Sequence, residues 1–405
     1  MHPATLRWVN SAMNVTVGQR LRQIRYARSK SLQVVAGLAG MSKSHLSRLE
    51  RGECALDRQS EIVALASALQ ISPSELTRLP IPAPGDGRTD TAIRAVRGAL
   101  MAVAHGRPGG QVLPVEVLRA RVETLMSAHY RCDRDDKVSA ALPELIHDLH
   151  SSIAAGRDVA ELSELAVVLH SGATLGWLRF AGAPLDLRSQ VAMLAREVAQ
   201  DCGTPVVMGL AVWGGLYVLV TAGAFDLALA ELDSVRVPMT RPESMQVVGM
   251  LALCRSFLAA AGGRPGDVDA PLDHAAELAE RTGQGNSYWM GFGPQEVGQW
   301  QARTALEIGD YERAAAIAEG LRPKSHPLRG RQALYWVNYG QALTRIRGRR
   351  DDAVLALRRA ERISPHHVHH HPGARETLSE LLMRAKHNAV GRELRGMAYR
   401  AGLLA

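Results

Sequence analysis

Few side chains in this sequence are spaced for chemistry, and the clearest set is cationic. From Ser42 to Gly52 the chain reads Ser-Lys-Ser-His-Leu-Ser-Arg-Leu-Glu-Arg-Gly. On a helical period Leu46 and Leu49 share one face, and Lys43, Ser44, Ser47, Arg48 and Arg51 fall on the other. That outer face carries ammonium, guanidinium and hydroxyl donors, with no nucleophile set beside a base. It suits recognition of an acceptor-rich, anionic partner and not bond making. No phosphate-binding glycine loop, HExxH pair or GxSxG turn occurs in the sequence. No residue is assigned a catalytic role, and the chain is not read as an enzyme.

Metal chemistry is not expected either. Cys54, Cys132, Cys202 and Cys254 are far apart and form no CxxC pair, so reduced thiols and a cytoplasmic setting follow. Pro365-His-His-Val-His-His-His-Pro372 is rich in a metal-binding residue type. With prolines at both ends and no cysteine or carboxylate, it reads as an exposed inter-helix loop of solvated histidines. No metal and no cofactor are assigned.

The elements that must hold the cationic face are short helices. Leu32, Val35, Ala36 and Ala39 give one helix, Gly40 stops it, and Ser42 caps the next. Gly37, a weak helix former, softens the first of the two without breaking it. Two short helices around a glycine turn, with a buried seam and a polar-basic outer face, form a helix-turn-helix. Leu21 and Ile24 supply the inner face of a preceding helix, with Arg20, Arg22, Arg25 and Arg28 directed elsewhere. Ile62, Leu65, Ala66 and Leu69 mark a fourth helix, and Ser72-Pro-Ser-Glu75 is a capping box that opens a fifth, ending near Leu79.

Val17-Gly-Gln-Arg-Leu-Arg-Gln-Ile-Arg, Ser42-Lys-Ser-His-Leu-Ser-Arg-Leu-Glu-Arg-Gly and Ile71-Ser-Pro-Ser-Glu-Leu resemble the Cro/repressor-type (Xre family) DNA-binding domain. The resemblance implies a five-helix, lambda-repressor-like unit over residues 15–79. It implies that Lys43, Ser44, Ser47 and Arg48 contact bases in the major groove of double-stranded DNA, and that Gln33 and Arg51 contact phosphates. Glu50, facing like charge on DNA, is expected to pair with a nearby arginine. Charge agrees with this placement. Residues 1–79 hold eleven Lys/Arg against five Asp/Glu, so most of the chain's net +8 travels with this unit.

Residues 1–14 read as a disordered arm or as a consequence of start-codon choice, since Met13 lies just ahead of the first helix. They show no secretory pattern. Residues 80–90, with three prolines and two glycines after Leu79, form a linker. Helical periodicity resumes at Thr91 and no alternating strand pattern follows, so the fold class is all-α. The apolar run Val206–Val220 is broken by Gly209, Gly214 and Gly215 and is shorter than the roughly 20 residues of a bilayer span, so it reads as a buried helix and no membrane partner is expected.

Gly309-Asp-Tyr-Glu-Arg-Ala314 aligns with Gly223-Ala-Phe-Asp-Leu-Ala228 and Gly348-Arg-Arg-Asp-Asp-Ala353, and looser copies start at Gly182 and Gly263. Copies recur roughly every forty residues, longer than the tetratricopeptide period of about 34 that they resemble. Residues 91–405 are therefore read as a tetratricopeptide-like helical solenoid. With Phe292-Gly-Pro, Ala360-Glu-Arg-Ile-Ser-Pro365 and Gly391-Arg-Glu-Leu-Arg-Gly-Met-Ala-Tyr-Arg400, the whole resembles actinobacterial regulators that join an Xre-type domain to a degenerate repeat array.

That resemblance implies a transcription regulator acting as a homodimer, its array binding a peptide, small-molecule or protein effector. The dimer contact is expected from the array, with the arginine-rich helices from Arg375 to Arg400 contributing. Trp213, Tyr217, Tyr288, Trp289, Trp300, Tyr335, Trp336 and Tyr339 are expected on first helices of repeats, mostly as core. Asn338 lies mid-helix, against its propensity. Helix asparagines in peptide-binding arrays of this type clamp a bound backbone, so Asn338, with Gln299 and Arg303, is the candidate ligand groove. The alternative is a tetratricopeptide-type interaction adaptor with residual DNA affinity.

Overall fold

A computed structural model describes residues 16–77, 88–132, 135–385 and 388–403. The expected arm at 1–14 and most of the linker lie outside them. Every regular element among the described residues is helical. Helix α1 (Val17–Ala27) is opened by a capping box, in which the Thr16 hydroxyl accepts from Gln19 N–H and the Gln19 side chain accepts from Thr16 N–H. The Ser31 hydroxyl caps α2 (Leu32–Leu38) by accepting from Val34 N–H, and the Ser42 hydroxyl caps α3 (Lys43–Glu50) by accepting from His45 N–H. Helices α4 (Gln59–Leu69) and α5 (Pro73–Thr77) complete the unit.

Leu21, Val35, Leu46, Leu49, Ile62, Leu65, Leu69 and Leu76 form its core. Gly18 is required where α1 crosses α3, because a Cβ there would stand 2.1 Å from the Leu49 carbonyl oxygen. One expectation fails. Arg25 does not point outward: it is 4% exposed and forms a two-point ion pair with Glu50, at 2.6 and 2.8 Å. The helical period places Arg25 beside the Leu21 face, and a buried acid on α3 makes that position tolerable for a charge.

The second region opens with α6 (Arg88–Ala104), three residues ahead of the expected start, then α7 (Val115–Arg131) and α8 (Asp135–Ala154). Helix α9 (Val159–Leu169) passes through a π-turn, His170–Thr174, into α10 (Leu175–Phe180). Helices then pair as α10 with α11 (Leu185–Cys202), α12 (Pro205–Ala222) with α13 (Phe225–Ser234) and α14 (Pro242–Ala261) with α15 (Asp269–Thr282). Next come α16 (Pro294–Ile308) with α17 (Tyr311–Gly320) and α18 (Arg329–Arg345) with α19 (Arg350–Ile363). Short α20 (His366–His369), α21 (Pro372–Leu382) and α22 (Ala389–Arg400) close the region.

The five repeat glycines are the joints of these five pairs. Gly182, Gly223, Gly263, Gly309 and Gly348 all adopt φ between +70 and +86°, a conformation only glycine enters freely. The sequence repeat is thus a repeat of helix-ending turns. Helices α12 and α14 are long and apolar enough to cross a membrane, with mean hydropathy 1.8 and 1.4. In this fold both lie in the core of the helical region.

Two further expectations are corrected. Tyr288 and Trp289 are not on a first helix. They sit in a 3₁₀ turn, Ser287–Trp289, at φ +53 and +60°, and Trp289 stacks on Tyr130. The histidine segment is not a solvated loop. His366–His369 is helical, His367 is buried, His369 bonds Glu361, and the His371 ring caps α21 by accepting from Ala374 N–H. Flanking prolines opened short helices here, and the array covered them. Among the described residues no three His, Cys, Asp or Glu side chains are placed to hold a metal ion.

Candidate nucleic-acid interface and the cavities behind it

Helix α3 presents the cationic face to solvent. Lys43, Ser44 and Arg48 are exposed and Ser47 is half-buried, while Leu46 and Leu49 are in the core. His45, on the flank, bonds Glu61 of α4 at 2.8 Å and fixes the roll of the helix. Gln33 is exposed on α2, and Arg51 at the end of α3. Arg51 is engaged: it pairs at two points with Glu53 and donates to the Ser47 hydroxyl at 2.5 Å. A phosphate must displace Glu53 to take that guanidinium. Arg48 makes one weak contact, to the Cys54 sulfur at 3.3 Å. Its pairing is therefore easily exchanged for a base edge.

The unit rests on the array through the starts of α1 and α4 and the loop after α3, and three array glutamates hold it. None of them was singled out from sequence. Glu307, at the end of α16, accepts from Gln59 N–H (3.0 Å), Ser60 N–H (2.8 Å) and the Ser60 hydroxyl (3.0 Å). Helix α4 has no side-chain cap of its own, so Glu307 caps it from another region. Glu380 accepts from Ala55 N–H at 2.9 Å and pairs with Arg345 at 3.1 Å. Arg345 in turn donates to the Ala55 carbonyl and approaches Asp57 at 3.3 Å. Glu376 accepts from Val17 N–H, the first amide of α1, at 3.4 Å.

These contacts bear on the arginine-rich terminal helices. Arg375 donates to the His369 carbonyl and Arg400 is paired at two points with Glu361.

Burial shifts the docking carboxyls. It raises Glu376 to about 7, with Asp57 adding repulsion and the Val17 N–H, Arg375 and Arg20 opposing it. Burial raises Glu307 and Glu380 as well, against their amide and arginine partners. The docked fold therefore holds protons that the solvated carboxyls would release. Docking is strongest below the ordinary carboxylate range and weakens as pH rises through about 7. Amide exchange of residues 54–62 should accordingly be faster at pH 8 than at pH 6, after correction for intrinsic rates, and Glu376→Gln should flatten the difference. Equal protection at both pH values contradicts this.

Behind the docking contact lie two adjoining cavities. The outer one, about 130 Å³, is lined by Leu56, Asp57 and Arg58 of the N-terminal unit and by Gln299, Arg303 and Asn338 of the array. The structure thus brings together all three candidate groove residues, on α16 and α18. The inner cavity, about 180 Å³, is lined by Arg179, Arg188, Arg303 and Arg331 within a wall of aromatic and aliphatic side chains. Trp213 and Tyr217, both half-buried, line it, as does Trp300, which is also part of the core. Arg179 and Arg188 were not anticipated. Scattered arginines on separate helices carry no local signal, and only the packing collects them.

Fold and surface define a helix-turn-helix domain, the DNA-binding unit of many regulators, carried on an all-helical array. Residues 16–79 match the family model for a helix-turn-helix domain. The match covers the N-terminal unit alone. Neither a curated protein nor a solved structure matches the chain.

Proposed function

We propose that this protein is a sequence-specific transcription regulator of the Xre type, acting in the cytoplasm as a homodimer on operator DNA. Its helical region serves as a tetratricopeptide-like sensor for a peptide, small molecule or protein, as in the actinobacterial regulators it resembles. It catalyses no reaction. The observation that carries this reading is the orientation of α3. Lys43, Ser44 and Arg48 face solvent while the array holds the unit at Val17, Ala55, Gln59 and Ser60. An adaptor that only binds proteins has no use for such a surface.

Gel-shift titrations test it. Arg48→Ala should weaken specific binding by ~1–3 kcal/mol and relax preference at one base position. Arg51→Ala should weaken binding to all sequences alike and lower the salt slope by about one. Unchanged affinity and preference in Arg48→Ala would show that α3 is misplaced as the reading helix.

Regulation follows from the outer cavity. It touches both the array and the loop that docks the DNA-binding unit, so an occupant that prefers one array curvature alters how that unit is held. The effector is proposed to change the spacing of the two DNA-binding units in the dimer without unfolding either. Spin-label distances between the two units should shift with effector, and Asn338→Ala should abolish the shift. An unchanged distance distribution alongside lost DNA affinity would instead indicate occlusion of α3.

A further inference from the structure

The inner cavity has a charge pattern that the regulatory reading does not require. Four arginines line it, and no aspartate or glutamate does. Arg331 has a partner, Glu296, at 3.5 Å. Among the described residues, Arg179, Arg188 and Arg303 are in no ion pair, although other arginines of the array are widely paired. Arg179 and Arg303 instead lie over one aromatic ring, with guanidinium carbons 3.6 and 5.8 Å from the centre of Tyr217. Arg303 also lies 4.1 Å from the Phe257 ring centre. Arg188 Nε and the Ser171 hydroxyl, both buried atoms, find no hydrogen-bond partner among the described residues.

Burial lowers Arg179 to about 10, with Tyr217 opposing the shift and Arg303, Arg188 and Arg331 adding to it. It remains charged at neutral pH. His129 and His367, on the same wall, are pushed down by burial and contribute no charge there. Arg179, Arg188 and Arg303 are all half-buried, and gathering partly buried like charges with no ion-pair partner is costly. A fold that does so carries a site whose energetics improve when an anion enters.

The rest of the wall is apolar. Trp213, Leu216, Val220, Leu258 and Trp300 line the same space. Its volume corresponds to roughly six water molecules, which is the scale of a small organic molecule.

We propose that the inner cavity binds an organic anion, with its headgroup among Arg179, Arg188 and Arg303 and an apolar body against Trp213, Leu258 and Trp300. Carboxylate, sulfonate and phosphate headgroups share the required chemistry. This deepens the effector reading above and rests on it for any consequence at DNA, though not for binding itself. The route to DNA is short: Arg303 and Glu307 are one turn apart on α16, and Glu307 caps α4 of the helix-turn-helix.

The test uses the full chain and two fluorescent probes that share an apolar body. One, 1-anilinonaphthalene-8-sulfonate, is an anion, and the other, N-phenyl-1-naphthylamine, is neutral. The sulfonate should bind one site per chain at least tenfold more tightly than the neutral probe. Decanoate and decyl phosphate should displace it and decanol should not, and the ratio of the first two ranks the headgroups. In Arg179→Gln and Arg303→Gln the preference for the anionic probe should fall about tenfold toward parity. Equal affinity for the two probes, or displacement by decanol as effective as by decanoate, overturns the proposal in the wild-type chain, whatever the variants do. Retained anion preference in both folded variants also overturns it. A titration with unlabelled peptides that bind where decanoate does not would assign the cavity to peptide backbone. No DNA enters these measurements, so their failure leaves the DNA-binding reading standing, and failure of the Arg48 gel shift leaves this one.

Discussion

Glu50→Ala should abolish specific DNA binding without removing any DNA contact. Glu50 holds Arg25 at two points between α1 and α3, both side chains are almost fully buried, and Arg25 also donates to the Lys30 carbonyl. A guanidinium is not deprotonated at physiological pH even when buried, so the arginine cannot escape by losing its proton. Removing one partner of such a pair leaves an uncompensated buried charge at a cost of ~3–5 kcal/mol. A domain this small has a total stability on the order of 5–15 kcal/mol. The variant should therefore unfold α1–α3 at physiological temperature while the array persists.

Amide exchange resolves the two regions. Residues 17–69 should lose protection and the array should keep it. The double variant Arg25→Met/Glu50→Leu, which removes both charges, should recover the fold and much of the DNA affinity. Wild-type exchange in Glu50→Ala would mean that the pair does not hold the unit together.

The second large effect is expected at the docking contact. Glu307→Ala with Glu380→Ala should release the helix-turn-helix from the array while leaving it folded. The change orphans three backbone donors, those of Ala55, Gln59 and Ser60, and takes from Arg345 one of its two acid partners. Each orphaned buried donor costs ~1–3 kcal/mol, and together they exceed what one small contact surface supplies. Exchange should rise at residues 54–62 and stay low at α1 and α3, whose core of Leu21, Leu46 and Leu49 is internal to the unit. A released unit should still bind a single half-site, but the preference for two correctly spaced half-sites should drop. If exchange at 54–62 is unchanged, the glutamates are incidental to docking.

The two predictions differ in how far sequence reasoning could have led to them. The caps at Ser31 and Ser42, the Gly40 turn and the apolar spacing of Leu46 and Leu49 were legible because each acts within a few residues. The same holds for the five pair-ending glycines, whose backbone conformation is a local property. That locality is why the helix-turn-helix and its outward face followed from the chain alone, and why a pairing partner could be expected for Glu50.

What the sequence could not determine is which helix faces are covered twice. A helical period separates one buried stripe from one outer stripe, but it does not say whether a second body packs on the outer one. Glu307, Glu380 and Glu376 reach the helix-turn-helix across separations of 248, 325 and 359 residues, and on their own helices they look like ordinary polar positions. The histidines of 366–371 read as solvated for the same reason. Arg179, Arg188 and Arg303 come from three helices, each with one charge that is unremarkable alone. Only tertiary packing gathers them around one cavity whose wall holds no acid, because long-range electrostatics is a property of the assembled fold and not of any segment.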